Sequence, residues 1–177
     1  MNDAKLRTER LELRPLSAED FELVCDLSRD PRVMGALGGP HSAAKSSAWL
    51  ERQLAHFRAH GYGRYVVSCD AQVVGLVGLS RTDFERGLVP GVEVAWRLAF
   101  EHWGQGYATE AARAVIQEGF ERFGLAEVIA VTAHGNLRSR RVMERLGMRH
   151  SERESFDHPL LSPDDPLRHH VLYRLIR

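Results

Sequence analysis

A mixed α/β (α+β) fold, one sheet with helices on both faces, is predicted by three observations. Strand-like segments in the first half are joined by a tight turn, as antiparallel neighbours are. The second half instead repeats strand, helix, strand, helix. The helix that follows the strand Val92 to Phe100 is opened by glycines.

The elements follow in order. Leu11 and Leu13 alternate with Glu12 and Arg14, a half-buried first strand. Ser17 and Asp20 have capping-box spacing and open a helix with Phe21, Val24, Leu27 and Ser28 on one face, which Asp30-Pro31 ends. Val33 to His41, with Gly35, Gly38, Gly39 and Pro40, is expected to be a flexible loop. Ser42 can cap a second helix that carries Trp49, Leu50 and Phe57 and ends near Gly61. Tyr65 to Cys69 and Val73 to Leu79 form a hairpin about Asp70-Ala71, and Arg81 to Gly91 leads to the Val92 strand.

Further on, Ala108, Ala111, Ala112, Val115, Ile116, Gly119, Phe120 and Phe123 step by three and four, one apolar stripe for packing on a sheet. Glu110, Arg113, Gln117, Glu121 and Arg122 are left for the wet side. Val128 to Thr132 reads as a short strand. Asn136 then caps a helix that is apolar at Val142, Met143 and Leu146 and stops at Gly147. Arg149 to Phe156 and His170 to Leu175 are strand-like and flank a proline-containing loop, Asp157 to His169.

A length of 177 residues suits one domain, residues 1–177, with room for a substantial core. The 24 basic and 24 acidic residues cancel, so nothing global points to nucleic acid or an anionic membrane. Scattered aromatics such as Phe100 lack the basic interleaving of a nucleic-acid stacking surface. Cys25 and Cys69 form no zinc or disulfide pattern, and the nine histidines show no metal-binding spacing, so no metal is expected. The charged opening Met1 to Arg7 is not followed by an apolar stretch, and no run approaches the ~20 residues that cross a bilayer. The cytoplasm is the expected location.

Chemistry concentrates in Trp103-Gly104-Gln105-Gly106-Tyr107-Ala108-Thr109-Glu110-Ala111. The first amides of a helix lack intrahelical partners and lie at the positive end of its dipole, so amides brought close by glycines can wrap a phosphate or pyrophosphate. A tight strand-to-helix turn would also use glycine. A dinucleotide-binding oxidoreductase fits less well, because the third small position holds Thr109 and Glu127 opens the next strand where a ribose-binding acid should close it. A nucleotide-hydrolysing P-loop fails because no Gly-Lys-Ser/Thr follows the glycines.

Four segments together resemble the GNAT superfamily of acetyl-CoA-dependent N-acetyltransferases, and within it the branch of ribosomal-protein N-terminal acetyltransferases. Thr8 to Leu16 resembles that branch's opening strand, and Glu93 to Leu98 the strand before its cofactor loop. Trp103 to Ala111 resembles its pyrophosphate loop, and Asn136 to Met148 its second cofactor helix. Trp103 stands where the general superfamily pattern has Gln or Arg, which puts more weight on backbone amides. The resemblance implies a mostly antiparallel central sheet. It implies acetyl-CoA as co-substrate, met by Trp96, Leu98, Gln105, Gly106, Tyr107, Ala108, Thr109, Asn136 and Arg141. The acceptor it implies is a primary amine, a peptide N-terminus or a small amine, and the chain is expected as a monomer or homodimer.

Glu93 is the candidate base, on the strand that leads into the cofactor loop, and a strand glutamate facing water or pairing with an arginine is the alternative. Ser139 resembles the serine placed near the cofactor sulfur, and packing alone would also suit it. Arg138, Arg141 and Arg145 share one helix face and are candidates for the phosphates of CoA or for a solvated basic face. Asp157, Asp164 and Asp165 are candidates for drawing a cationic amine to the site. Besides transfer to a protein α-amine, a CoA-binding module without acceptor chemistry and a polyamine or antibiotic acetyltransferase remain open readings.

Overall fold

The computed structural model describes residues 5–82 and 91–177. Most of the connection expected at Arg81 to Gly91 lies outside the described residues. Among these, one nine-stranded sheet runs in the order β1-β2-β3-β4-β5-β6-β9-β7, with β8 also paired to β9. The strands are β1 (Leu6–Arg7), β2 (Leu11–Pro15), β3 (Arg64–Cys69), β4 (Gln72–Arg81), β5 (Val92–Leu98), β6 (Glu127–Ala133), β7 (Arg149–His150), β8 (Phe156–Asp157) and β9 (His169–Ile176). Each pairing is antiparallel except β5 with β6, a parallel pair in register only at Glu93 and Ile129.

Alternation along the strands separates two cores. Leu13, Tyr65, Val67, Val77, Leu79 and Val94 pack with Ala111, Ala112, Val115 and Ile116 of the helix α4 (Tyr107–Glu121). Val66 and Leu76 point the other way, onto Val24 and Leu27 of α1 (Phe21–Arg29) and Leu50 of α3 (Ala43–His60). Helices therefore cover both faces, and burial of each Val or Ile from α4 contributes about 1.5–3 kcal/mol. The Glu118 carboxylate satisfies a buried polar group of this core: the Tyr65 hydroxyl donates to it at 2.6 Å, and Arg122 donates to the same carboxylate at 3.0 Å. Burial, followed by the Glu118 contact, drives the Tyr65 pKa well above the ordinary tyrosine value.

Local signals account for the boundaries. Ser42 Oγ accepts from the Lys45 amide to start α3, and Gly61 in the left-handed region ends it. Asp70 and Ala71, with φ of 48° and 63°, make the β3–β4 hairpin turn. The Asp20 carboxylate accepts from the Ser17 amide at 2.8 Å, the acidic half of the expected capping box.

Several expectations need correction. The segment Val33 to His41 is not a loop throughout: Pro31 ends α1 but also opens α2 (Pro31–Met34), because Asp30 caps the Arg32 amide, and a 3-10 turn follows at Gly35–Leu37. The Val92 strand ends at Leu98, and Phe100 belongs to a 3-10 turn, Phe100–His102. Arg149 to Phe156 is broken by the 3-10 turn Glu152–Glu154. Glu110 is not on a wet face, since Thr8 and Arg10 enclose it. Among the described residues no helix is long and apolar enough to cross a membrane.

Candidate active site

Strands β5 and β6 share one register pair and then diverge, so a cleft opens between two arms of the sheet. One arm is β5, the 3-10 turn and the loop to α4. The other is β6 and α5 (Leu137–Arg145). Glu93, Trp96 and Arg97 line the cleft from the first arm, and Val131, Thr132, Ser139 and Met143 from the second. Val94 and Ala95 of β5 add to the first arm's side, and Leu37, Trp49, Arg64 and Leu76 complete its wall.

The two proposed catalytic residues are thus brought to one cleft from opposite arms. Glu93 is half-buried, opposite Ser80 of β4 and Ile129 of β6. Ser139 lies in the first turn of α5, where its amide donates to Asn136 Oδ1 at 3.3 Å. Asn136 Nδ2 donates to Thr132 Oγ1 at 2.9 Å, so this side chain fastens α5 to the end of β6.

The end of α4 is built differently. Gly104 and Gly106 take φ of 79° and 84°, left-handed values that side chains adopt at a cost, and Gly106 is an N-cap with no side-chain hydrogen bond. A Cβ at Gly104 would meet nothing within 4 Å, so the approach to these amides is open. Thr109 Oγ1, in the same first turn, is buried without a hydrogen-bond partner among the described residues. Open amides and an unmatched hydroxyl at the positive end of a 15-residue helix fit the phosphates of CoA.

Glu110 anchors this end. Its carboxylate accepts from Thr8 Oγ1, from the Arg10 amide at 3.0 Å and from Arg10 Nε at 2.8 Å. Burial pushes the Glu110 pKa up, but these donors outweigh it and hold the pKa below the usual value. Arg10 also lies 4.8 Å from the centroid of Tyr107. The Cys69 thiol contacts the Tyr107 hydroxyl at 3.4 Å, and that contact leads the causes that raise the Tyr107 pKa.

Other predicted residues are distributed unevenly. Ala108 packs against the core, and Gln105 is exposed at the loop. Leu98 is buried in the core, and its carbonyl accepts from Trp103 Nε1 at 2.9 Å, so its side chain does not line the cleft. Arg141 and Arg145 are exposed on α5, whereas the Arg138 guanidinium lies over the Trp103 ring. The loop acids are largely committed elsewhere. Asp157 pairs with Arg168 and His169, Asp165 caps the Leu167 amide, and none of the three lines the cleft. Sequence reasoning missed Arg64, a buried cation on β3 that donates to the Gly78 and Ala95 carbonyls and to Ser80. A basic residue opening an otherwise apolar strand was the available signal.

Comparison with known proteins agrees with this geometry. Residues 10–149 match the acetyltransferase (GNAT) domain model. The chain is 36% identical over 156 residues to FsC-acetyl coenzyme A-N(2)-transacetylase of Aspergillus fumigatus, a match that covers 83% of the chain and 66% of that relative, just under two thirds of its length. It is 29% identical to YkkB of Bacillus subtilis over 84% of the chain and 87% of that protein. An acetyltransferase structure from Agrobacterium tumefaciens superposes with a TM-score of 0.80 at 30% identity, covering 98% of this chain and 94% of the other. With the mixed sheet, the divergent parallel pair and the glycine-opened helix all in place, the chain belongs to the GNAT acetyltransferase family.

Proposed function

We propose that the chain transfers an acetyl group from acetyl-CoA to a primary amine, with a peptide α-amine as the acceptor class. The observation that carries this reading is the cleft itself, with Glu93 on one arm and Ser139 on the other beside an uncapped helix end. The amides from Gln105 to Thr109, with Trp96, Asn136 and Arg141, would hold the cofactor. The name of the Aspergillus fumigatus relative, which pairs acetyl coenzyme A with an N(2) position, supports the same donor and a nitrogen acceptor.

Acetyl-CoA, when bound, supplies an acetyl thioester. Glu93 takes the proton that the amine sheds as its nitrogen bonds to the acetyl carbon, directly or through one water. The Ser139 hydroxyl gives a proton to the sulfur as the carbon–sulfur bond breaks and regains one from solvent, to which Glu93 releases the proton it took. A peptide α-amine, with a reference pKa near ~8, is already partly neutral at pH 7, whereas a lysine amine near ~10.4 is not, so one carboxylate is a sufficient base for the former. The lining favours the same class: among the described residues it holds Arg64, Arg97 and a single carboxylate, Glu93, a poor match for a polycation.

Turnover of acetyl-CoA across peptide N-termini, a polyamine and an aminoglycoside tests the reading. Peptide α-amines should give the highest kcat/KM. Glu93→Gln should lower kcat with the peptide by about a hundred- to ten-thousand-fold and remove the acidic limb of the pH profile, and Ser139→Ala should lower it by about ten- to a thousand-fold. A preference for the polyamine overturns the acceptor class, and CoA binding without turnover of any amine reduces the chain to a binding module.

A further inference from the structure

We propose that Arg138 is a clasp across the cleft, parked on Trp103 in the free protein and transferred to the diphosphate of acetyl-CoA when the cofactor enters. The inference rests on the cofactor seat at the α4 end proposed above.

Beyond the Glu93 and Ile129 pair, no ladder register joins the arms, and side chains must span the gap. Arg138, in the first turn of α5, does so: its guanidinium lies 4.8 Å from the centroid of Trp103 on the opposite arm. The ring is a fixed platform. Its Nε1 donates to the Leu98 carbonyl at 2.9 Å, and the Phe100 ring flanks it at 5.2 Å. Arg138 is the movable half, because it is exposed and, among the described residues, no carboxylate pairs with it.

Its neighbours show the difference. Arg10 stacks on Tyr107 on the other flank of the same helix end, but Glu110 locks it at 2.7 Å. Arg32 stacks on Phe100 at 4.3 Å, and Asp30 locks it through its Nε at 2.9 Å. Arg138 alone of these three is held by a ring and by no carboxylate. An exposed guanidinium over a half-buried ring is held by a cation–π contact alone, whereas phosphate oxygens offer charge-assisted, bidentate pairing. Trp103 opens the loop Gly104-Gln105-Gly106 that leads into α4, so the ring that carries the cation stands three residues before the helix end where the diphosphate is proposed to sit. Transfer from ring to phosphate would let the cofactor pass between the arms and then hold it there.

The test is calorimetric binding of CoA and of 3′-dephospho-CoA to the wild type, Arg138→Ala and Arg138→Lys, at low and raised salt. Arg138→Ala should weaken both ligands equally, by about ten- to a hundred-fold, and flatten the salt dependence, with Arg138→Lys recovering part of the loss. Affinity within about twofold of wild type overturns the clasp, as does a loss confined to CoA, which would assign Arg138 to the 3′-phosphate. Gly106→Val, measured alongside, separates the two readings. If it loses CoA while Arg138→Ala does not, the seat stands and the clasp fails. If it retains full affinity, the seat itself is wrong.

Discussion

Helices α4 and α5 follow the two strands that wall the cleft, α4 after an intervening 3-10 turn and loop, yet their first turns are finished in opposite ways. At α5 the chain closes its own end: Asn136 Oδ1 accepts from the Ser139 amide and Nδ2 ties the cap to Thr132. At α4 the N-cap is Gly106, which offers no side chain. Ser42 and Asp30 cap α3 and α2 in the manner of Asn136, whereas α1, with Asp20 at its N-cap, makes no side-chain cap bond, and α4 has at its N-cap no side chain that could make one. Each helix starts with orphan amides, and the difference is what satisfies them. A cap turned inward fixes the fold, and a glycine cap leaves the positive helix end to a ligand.

The contrast breaks most visibly at Gly106. A β-branched side chain at φ 84° carries about 1–3 kcal/mol of backbone strain and places bulk over the amides, with its Cβ 3.4 Å from Arg10 Nη2. Gly106→Val should therefore lower CoA affinity by at least about a hundred-fold in calorimetry, with the fold checked by circular dichroism. Undiminished affinity would show that the α4 end is not the seat.

The complementary change at the other helix should act on stability. Asn136→Ala removes the cap at a cost of about 1 kcal/mol, which for a chain of this size lowers Tm by about 2–4 °C, and Asn136→Asp should restore most of it. If Asn136→Ala instead leaves Tm unchanged and only weakens CoA, Asn136 serves the ligand and not the helix end, and the contrast in capping disappears.

The smallest effect sharpens how the open end is held in place. Glu110 titrates below its ordinary value in the folded chain, because the Thr8 and Arg10 donors outweigh the effect of burial. The ionised carboxylate therefore stabilises the fold fully above the unfolded glutamate pKa of ~4.3, and that contribution is lost as pH falls through the depressed folded value. The Tm gap between wild type and Glu110→Gln should be widest near neutral pH and close on acidification below about pH 4. A gap that does not narrow anywhere as the fold is titrated to acid would mean the carboxylate's charge contributes nothing there.

What the sequence made legible was local. Ser42, Gly61, Asp70-Ala71, Asn136 and Gly147 each announce a boundary through their own backbone or side-chain chemistry, and the 3.6-residue period of α4 shows its buried stripe. What stayed hidden depends on partners far along the chain. Glu110 reads as a solvated first-turn acid until folding brings Thr8 and Arg10, about a hundred positions away, onto it. Asp157 and Asp165 read as free loop charges, but Arg168 and the Leu167 amide claim them. Helix α2 was masked because Asp30-Pro31 signals a stop and a start with the same residues. Among the residues that line the cleft, Glu93 and Ser139 were singled out with the help of the resemblance, while Trp49, Arg64 and Leu37 come from elements with no motif to mark them.

The divergence of β5 and β6 has a consequence for how the protein lives with its own sheet. A strand edge on the outside of a protein is a template on which another chain can pair, and proteins commonly blunt such edges with charge, proline or bulges. Here the strands' facing edges separate beyond one pair in the middle of a nine-stranded sheet, walled by side chains from both arms. The molecule thus places unpaired strand backbone inside a walled cleft, away from the outer edges of the sheet at β1 and β7.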